Sequence, residues 1–174
     1  MKNKFVVRDD GTVEIMLTQG KVAIIDEEDM ANVGSHRWYA HKRNGNFYTA
    51  TMVYRANGSR TLLSMHQLFL PEAKQIDHIN RDGLDNRRIN LRMCTPTQNQ
   101  HNRCPKQGSS SEYKGVAWHK RQHKWQAYIK IGDKIRHLGV FTDELVAARA
   151  YDAAAIQHFG EFARPNFQLP LVEA

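Results

Sequence analysis

The sequence predicts an α+β protein in three parts: strands joined by tight turns, then a loop-rich polar stretch, then a small sheet with one covering helix. Three observations carry this. Asp10-Gly11, Asn44-Gly45 and Asn57-Gly58 each separate β-prone runs, as two-residue type I′ hairpins require. Residues 65–103 are instead dominated by His, Asn and Asp, and they end in Thr95-Pro96-Thr97-Gln98. Lys124–Ile131 alternates strictly, with Trp125, Ala127, Ile129 and Ile131 on one face and Gln126, Tyr128 and Lys130 on the other.

Element by element, strands are expected over 5–8, 12–17, 21–25, 37–42, 47–55 and 60–66, with a short helix over 27–33. The last three strands should form a meander that leads into the polar stretch. Thr95 is placed as a helix N-cap, Pro96 at the first helical position, and Gln98 reaches back to complete a capping box. The run from Pro105 to Glu112, rich in serine, has nothing to bury and reads as a linker. Beyond it, Gly132-Asp133 turns the chain into a third strand at 134–138, and Thr142-Asp143-Glu144 opens an alanine-rich helix that Gly160 stops. In that third strand Ile135 and Leu138 share a face only through a bulge, which leaves the orientations of Lys134 and Arg136 open.

Composition narrows the function classes. The chain has 174 residues, 41% of them hydrophobic and 25% charged. It holds no apolar run near the ~18 residues of a membrane span and no signal peptide, so the expected location is cytoplasmic. Two cysteines, Cys94 and Cys104, form no CxxC pair, so neither a disulfide framework nor a zinc knuckle is indicated. Lys and Arg number 25 against 18 Asp and Glu, a net charge of +7 that favours polyanionic partners. The excess is sharpest between Tyr113 and Phe141, where seven Lys/Arg face a single acid, Asp133.

The middle segment carries the chemistry: Met65-His66, then Asp77-His78-Ile79-Asn80-Arg81-Asp82-Gly83-Leu84-Asp85-Asn86-Arg87-Arg88-Ile89-Asn90-Leu91-Arg92, then the capped helix with Asn99, Asn102 and Arg103. Asp77 and Asn99 offer hard oxygen ligands, a carboxylate and an amide carbonyl, which suit Mg²⁺ or Mn²⁺ better than zinc. His78 projects to the other side of the same extended backbone and titrates near working pH, as a general base for water attack requires. Arg87, Arg88 and Arg92 are candidates for contacts to a phosphate backbone, and Asn102 and Arg103 for contacts on the helix face of Asn99. His101, His119, His123 and His158 read as solvated side chains when taken one at a time.

This stretch resembles the HNH nucleases, in the branch with Asp-His, a loop Asn and a final Asn on a short helix. His78 to Asn90 is a gap of twelve and Asn90 to Asn99 a gap of nine. The resemblance implies a ββα-metal core with catalytic His78 and Asn90, a divalent ion on Asp77 and Asn99, and Asn90 bracing the loop and the His78 ring. His66 stands where this branch commonly has a His, and is expected near the site.

Tyr113-Lys114-Gly115-Val116, Trp118, Lys124-Trp125, Leu138-Gly139-Val140-Phe141, the helix 147–154, Phe159-Gly160 and Asn166-Phe167 resemble the DNA-binding domain of the plant ethylene-response-factor (Apetala-two) family. That family lays its three-stranded sheet in the major groove, a place that admits a β-ribbon. Carried over residue by residue, its contacting positions fall on Lys114, Ala117, His119, Arg121, Tyr128, Lys130, Ile135 and His137. Gln126, Lys134 and Arg136 join them as basic or polar candidates. Ala117 and Ile135 replace arginines of the plant members and Tyr128 replaces an acid, so the plant sequence preference does not transfer.

The expected organisation is therefore a β-rich module at 1–60, a nuclease core at 61–105, a linker at 106–112 and a sheet-type DNA-binding domain at 113–168. The expected function is a metal-dependent DNA endonuclease of the homing or mobile-element kind, as in phages and bacteria. Its partner is double-stranded DNA, with no membrane and no obligate protein partner. The rivals are a sequence-specific DNA-binding protein with an inactive core and an RNA-directed protein.

Overall fold

The computed structural model describes residues 3–102 and 108–167. It divides the chain into two compact units at Thr95/Pro96. The first holds three small antiparallel sheets. Strands β1 (Phe5–Val7), β2 (Thr12–Met16) and β3 (Val22–Asp26) form one, and a short helix α1 (Met30–Val33) follows. Strands β4 (Tyr39–Arg43), β5 (Asn46–Tyr54) and β6 (Arg60–Ser64) form the expected meander. Helix α2 (His66–Phe69) then leads to β7 (Ile76–His78), which pairs with β8 (Leu91–Met93).

The turns differ from one another in kind. Asn44 and Gly45 both have positive φ, 50° and 85°, as type I′ demands. At the other two hairpins only the glycine does, Gly11 at 77° and Gly58 at 79°. Gly11 N donates to Arg8 O and Gly58 N to Arg55 O, so these are longer loops in which a turn is followed by a left-handed glycine. Asp10 and Asn57 instead use their side chains, accepting from the backbone N–H of Thr12 and Ser59. The sixth strand ends at Ser64, and His66 opens a helix rather than closing a strand.

One core serves the whole first unit. Val13, Ile15, Ala23, Ile25, Val33 and Trp38 pack with Met65, Phe69 and Leu91. No division of the core falls at the expected boundary near residue 60. The physical reason is volume: the polar stretch supplies too few apolar side chains for a core of its own. Its loop is also stitched to the first sheet, where Ile24 N donates to Leu84 O and Asn86 N to Ile24 O, at 2.9 and 2.8 Å.

The second unit begins with helix α3 (Pro96–His101), and so with the proline expected at the first helical position. Strands β9 (Val116–His119), β10 (Lys124–Ile131) and β11 (Lys134–Phe141) form an antiparallel sheet in the order β11-β10-β9. Helix α4 (Glu144–Phe159) covers one face. Asp143 caps it by accepting from the N–H of Leu145 and Val146, and Ala147, Ala148 and Ala155 are fully buried. Alanine at these points lets the helix axis approach Val116, Ala127 and Ile129 closely. Gly115 shows how close the approach is: its φ is +76°, and a Cβ there would sit 1.9 Å from Tyr151 Cδ2. The serine-rich run is more than a spacer where it is described, since Ser111 is buried and the Ser110 hydroxyl accepts from Trp118 N.

Candidate active site and nucleic-acid interface

In the first unit β7 presents Asp77 and His78 on opposite sides, both buried, with 5% and 6% exposure. The Asp77 carboxylate is met from the paired strand by Arg92, directly opposite in register. Arg92 Nε and Nη2 both donate to Asp77 Oδ2, at 3.0 and 2.7 Å. His78 enters an aromatic pocket. Its ring lies 5.0 Å from that of His66, nearly perpendicular at 83°, and 5.9 Å from that of Tyr48 on β5. His66, expected near the site, lies beside His78 on the first turn of α2.

The polar partner of the His78 ring is Asn86. Its Oδ1 stands 3.4 Å from His78 Nε2, and its Nδ2 donates to Leu84 O and Thr49 Oγ1. Those two donated bonds fix which end of the amide faces the ring. Asn90, expected to brace the loop and help hold the ring, is bonded within the loop. Its Oδ1 accepts from Asn80 N at 2.9 Å and its Nδ2 donates to Asp85 O at 2.7 Å. The turn between Ile79 and Asp85 is tied further by the Asn80 and Asp82 side chains, which accept from the N–H of Asp82 and Leu84. Arg81 is held there at φ 68°, and Gly83 is required because a Cβ would lie 2.4 Å from Tyr48 Cδ1 and 2.5 Å from Phe47 O.

Electrostatics follow burial. Desolvation pushes the His66 imidazole down to about 4, with the neighbouring His78 adding to the effect. Desolvation also lowers His78, against the opposing pull of Asn86, Asp77, Asp82 and Asp85. Both rings are therefore neutral at neutral pH. His66 Nδ1 is buried with no hydrogen-bond partner, a group that costs free energy where it sits.

Three of the four arginines between Asp77 and Arg92 are paired with carboxylates of the same unit. Arg87 grips Asp85 through Nε and Nη2 at 2.8 and 2.7 Å, and Arg88 grips Asp29 at 2.9 and 2.7 Å, while Arg92 holds Asp77. Arg87, Arg88 and Arg92, expected as contacts to a phosphate backbone, thus also supply the counter-charges that the buried acids Asp29, Asp77 and Asp85 need. The sequence reading missed Tyr48, Asn86 and Asp29. Only Asn86 left a trace, beside Asp85 in a loop that read as merely polar.

Asn99 and Asn102 belong to the second unit, Asn99 on α3 and Asn102 buried just past its end. Arg103 lies outside the described residues. Among the described residues no group of three His, Cys, Asp or Glu side chains is placed to hold a metal.

On the second unit's sheet, register decides the faces. His119 pairs with Lys124, Ala117 with Gln126, His137 with Tyr128 and Ile135 with Lys130. All eight side chains share the face away from α4. Trp118 pairs with Trp125 on the helix side, the rings edge-on at 4.9 Å. The anticipated bulge is present: Ala127 pairs with Gly139 and Tyr128 with His137, so Leu138 is the extra residue. The bulge resolves the third strand. Arg136 and Lys134 pair with Ile129 and Ile131, so both belong to the helix side and leave the open-face set. Arg121 lies in the turn between β9 and β10. Lys114 is held beside α3, its ammonium donating to the His101 carbonyl. A cleft of about 890 Å³ in this unit is lined by residues that include His101, Lys114, Tyr128, Lys130 and Tyr151. No helix among the described residues is long and apolar enough to cross a membrane.

Comparison with known proteins agrees with both regions. Residues 69–101 match the HNH endonuclease family. Over 156 residues the chain is 27% identical to an HNH endonuclease of Acanthamoeba polyphaga mimivirus, covering 85% of this chain and 76% of that protein. Over 62 residues, 34% of this chain, it is 45% identical to an AP2-like ethylene-responsive transcription factor of Arabidopsis thaliana, of which it spans 12%. An ethylene-responsive transcription factor of the same plant is 41% identical over 61 residues, 14% of its length. Residues 69–101 are thus similar to the HNH endonuclease family, and about a third of the chain is similar to a segment of AP2-like transcription factors.

Proposed function

We propose that the protein is a divalent-metal-dependent DNA endonuclease of the homing or mobile-element kind, brought to duplex DNA by the open face of its C-terminal sheet. What supports this most is the arrangement on β7, where a buried, neutral imidazole and a buried carboxylate paired with Arg92 stand side by side on opposite faces of one strand.

His78 is the general base. With Asn86 Oδ1 accepting from Nε2, the ring is the tautomer whose Nδ1 is basic, and burial keeps it unprotonated until water is attacked. Asn86 and the walls of Tyr48 and His66 fix the ring plane. Asn90 keeps the turn after β7 in shape. Asp77, paired with Arg92, and Asn99 would hold Mg²⁺ or Mn²⁺, as the resemblance implies. When bound, such an ion neutralises charge developing on the phosphate and its leaving oxygen. Targeting falls to His119, Gln126, Tyr128, Lys130 and His137, with Lys114 and Arg121 at the margin of the face. The compartment proposed is the cytoplasm of a bacterial or phage-infected cell.

Supercoiled plasmid carrying the chain's own genomic locus, incubated with Mg²⁺ or with EDTA, tests the reading. Open-circular or linear product that needs metal and disappears in His78→Ala is the expected result. Tight duplex binding with no cleavage by wild type in Mg²⁺ or Mn²⁺ would assign the protein to the class of DNA-binding proteins with an inactive core.

A further inference from the structure

Helix α3 has six residues, Pro96–His101, and carries Asn99. Isolated helices below ~12–15 residues are marginal in water, so the geometry of this one depends on what grips it. Its last residue makes two contacts within the second unit. The His101 ring lies flat on Phe159, with centroids 3.6 Å apart and planes 15° apart. Lys114 Nζ donates to the His101 carbonyl, one of the terminal C=O groups that a helix cannot satisfy internally.

Both grips are anchored in the small domain. Phe159 ends α4 and packs with Ile129, Tyr151 and Ala155. Lys114 is fixed through its backbone, its N–H donating to Asn166 Oδ1 at 2.6 Å and its carbonyl accepting from Asn166 Nδ2 at 3.1 Å. Asn166 is bound in turn by the buried Asp152.

We infer that Phe159 is a positioning residue for Asn99: the Apetala-two type domain clamps α3 through the Phe159–His101 stack and the Lys114–carbonyl bond, and so sets the orientation in which Asn99 is offered. The inference rests on the reading of Asn99 as a metal ligand. Two residues along an α-helix correspond to a rotation of about 200°, so the stacked His101 ring and the half-buried Asn99 leave α3 on roughly opposite sides.

The test uses the full chain with Phe159→Ala, and with His101→Ala and His101→Phe, which alter the stack without opening the domain core. Hydrogen exchange reads the clamp, and nicking of locus DNA at varied DNA and Mg²⁺ reads its consequence. In both alanine variants the amides of Gln100 and His101 should lose at least tenfold in protection while those of β10 keep theirs. Turnover at saturating DNA should fall at least tenfold and the Mg²⁺ requirement should rise, with the DNA concentration for half-saturation unchanged. His101→Phe, which can stack, should restore both. Unchanged protection of α3 in His101→Ala overturns the clamp. A loosened α3 with unchanged turnover and metal requirement overturns its role for Asn99. Wild type that fails to cut overturns the nuclease reading and the positioning role with it, while exchange still decides whether the clamp exists.

Discussion

The loop from Asp77 to Arg92 and the open face of the C-terminal sheet are both polar and both rich in His and basic residues, yet they are built in opposite ways. In the loop three acid–arginine pairs are internal to the unit: Asp77 with Arg92, Asp85 with Arg87, and Arg88 with Asp29 from the turn after the first sheet. Amides fill the remaining turns. On the sheet face Lys124 and Lys130 have no acid across the strand, and Tyr128 stands out with 37% exposure. A site that moves a proton must hold its geometry before substrate arrives, whereas a surface that meets phosphates benefits from charges still paired only with water. The contrast separates arginines that organise the protein from lysines available to a ligand.

The largest effect should come from breaking the most buried of those internal pairs. Arg92 and Asp77 side chains are 11% and 6% exposed, and removing one partner of such a pair costs about 3–5 kcal/mol because the other charge is stranded. Arg92→Met should therefore lower stability by that order in EDTA, measured by denaturant unfolding. Mg²⁺ should return part of it, since a cation on Asp77 does the electrostatic work of the lost guanidinium. Equal destabilisation with and without Mg²⁺ would remove Asp77 from the metal.

A pH effect follows in size. His66, lowered from 6.5 to about 4 mainly by burial, stays neutral in the folded protein while the unfolded chain protonates near 6.5. The unfolded state binds the extra proton, so the contribution is fully present above about pH 6.5 and is lost as pH falls toward 4. The loss amounts to about 3 kcal/mol from this ring, and His78 shifts in the same direction. Unfolding midpoints at pH 7 and pH 5 should converge in His66→Phe relative to wild type. An equal drop in both proteins would place the acid sensitivity elsewhere.

Much of this was legible in the chain and some was not, for definite reasons. The alternation of Lys124–Ile131, the Asp143 cap and the alanine face of α4 are local patterns, and each survived into the structure. Asp77-His78 was legible as chemistry because two titratable groups adjacent on a strand must diverge. Asn86 was not, since its role depends on the docking of its loop along β3, a contact between residues some sixty positions apart. The arginine partners failed for the same reason: Asp29 meets Arg88 from a separation of 59 residues, and nothing in the loop itself announces a buried acid elsewhere. Hairpin types failed on one dihedral each, because a side-chain bond from Asp10 or Asn57 substitutes for the positive φ that the dipeptide suggests.

The smallest effect tests the sheet itself. Lys130 shares the open face with Tyr128, while Arg136, equally basic and on the neighbouring strand, pairs with Ile129 on the α4 side of the bulge. Composition alone makes the two residues equivalent contributors to a positive surface, and register makes them different. Lys130→Ala should therefore weaken duplex binding by about 1 kcal/mol and flatten the dependence of log K on log salt by about one charge. Arg136→Ala should leave the slope within error of wild type. The slope is the better observable, because a general loss of positive field shifts affinity for both variants, but only a cation that displaces counterions at a phosphate changes the number released. Equal slopes for both variants would mean that the duplex does not lie on the open face, and the bulge at Leu138 would lose its meaning as the device that chooses which basic residues the DNA meets.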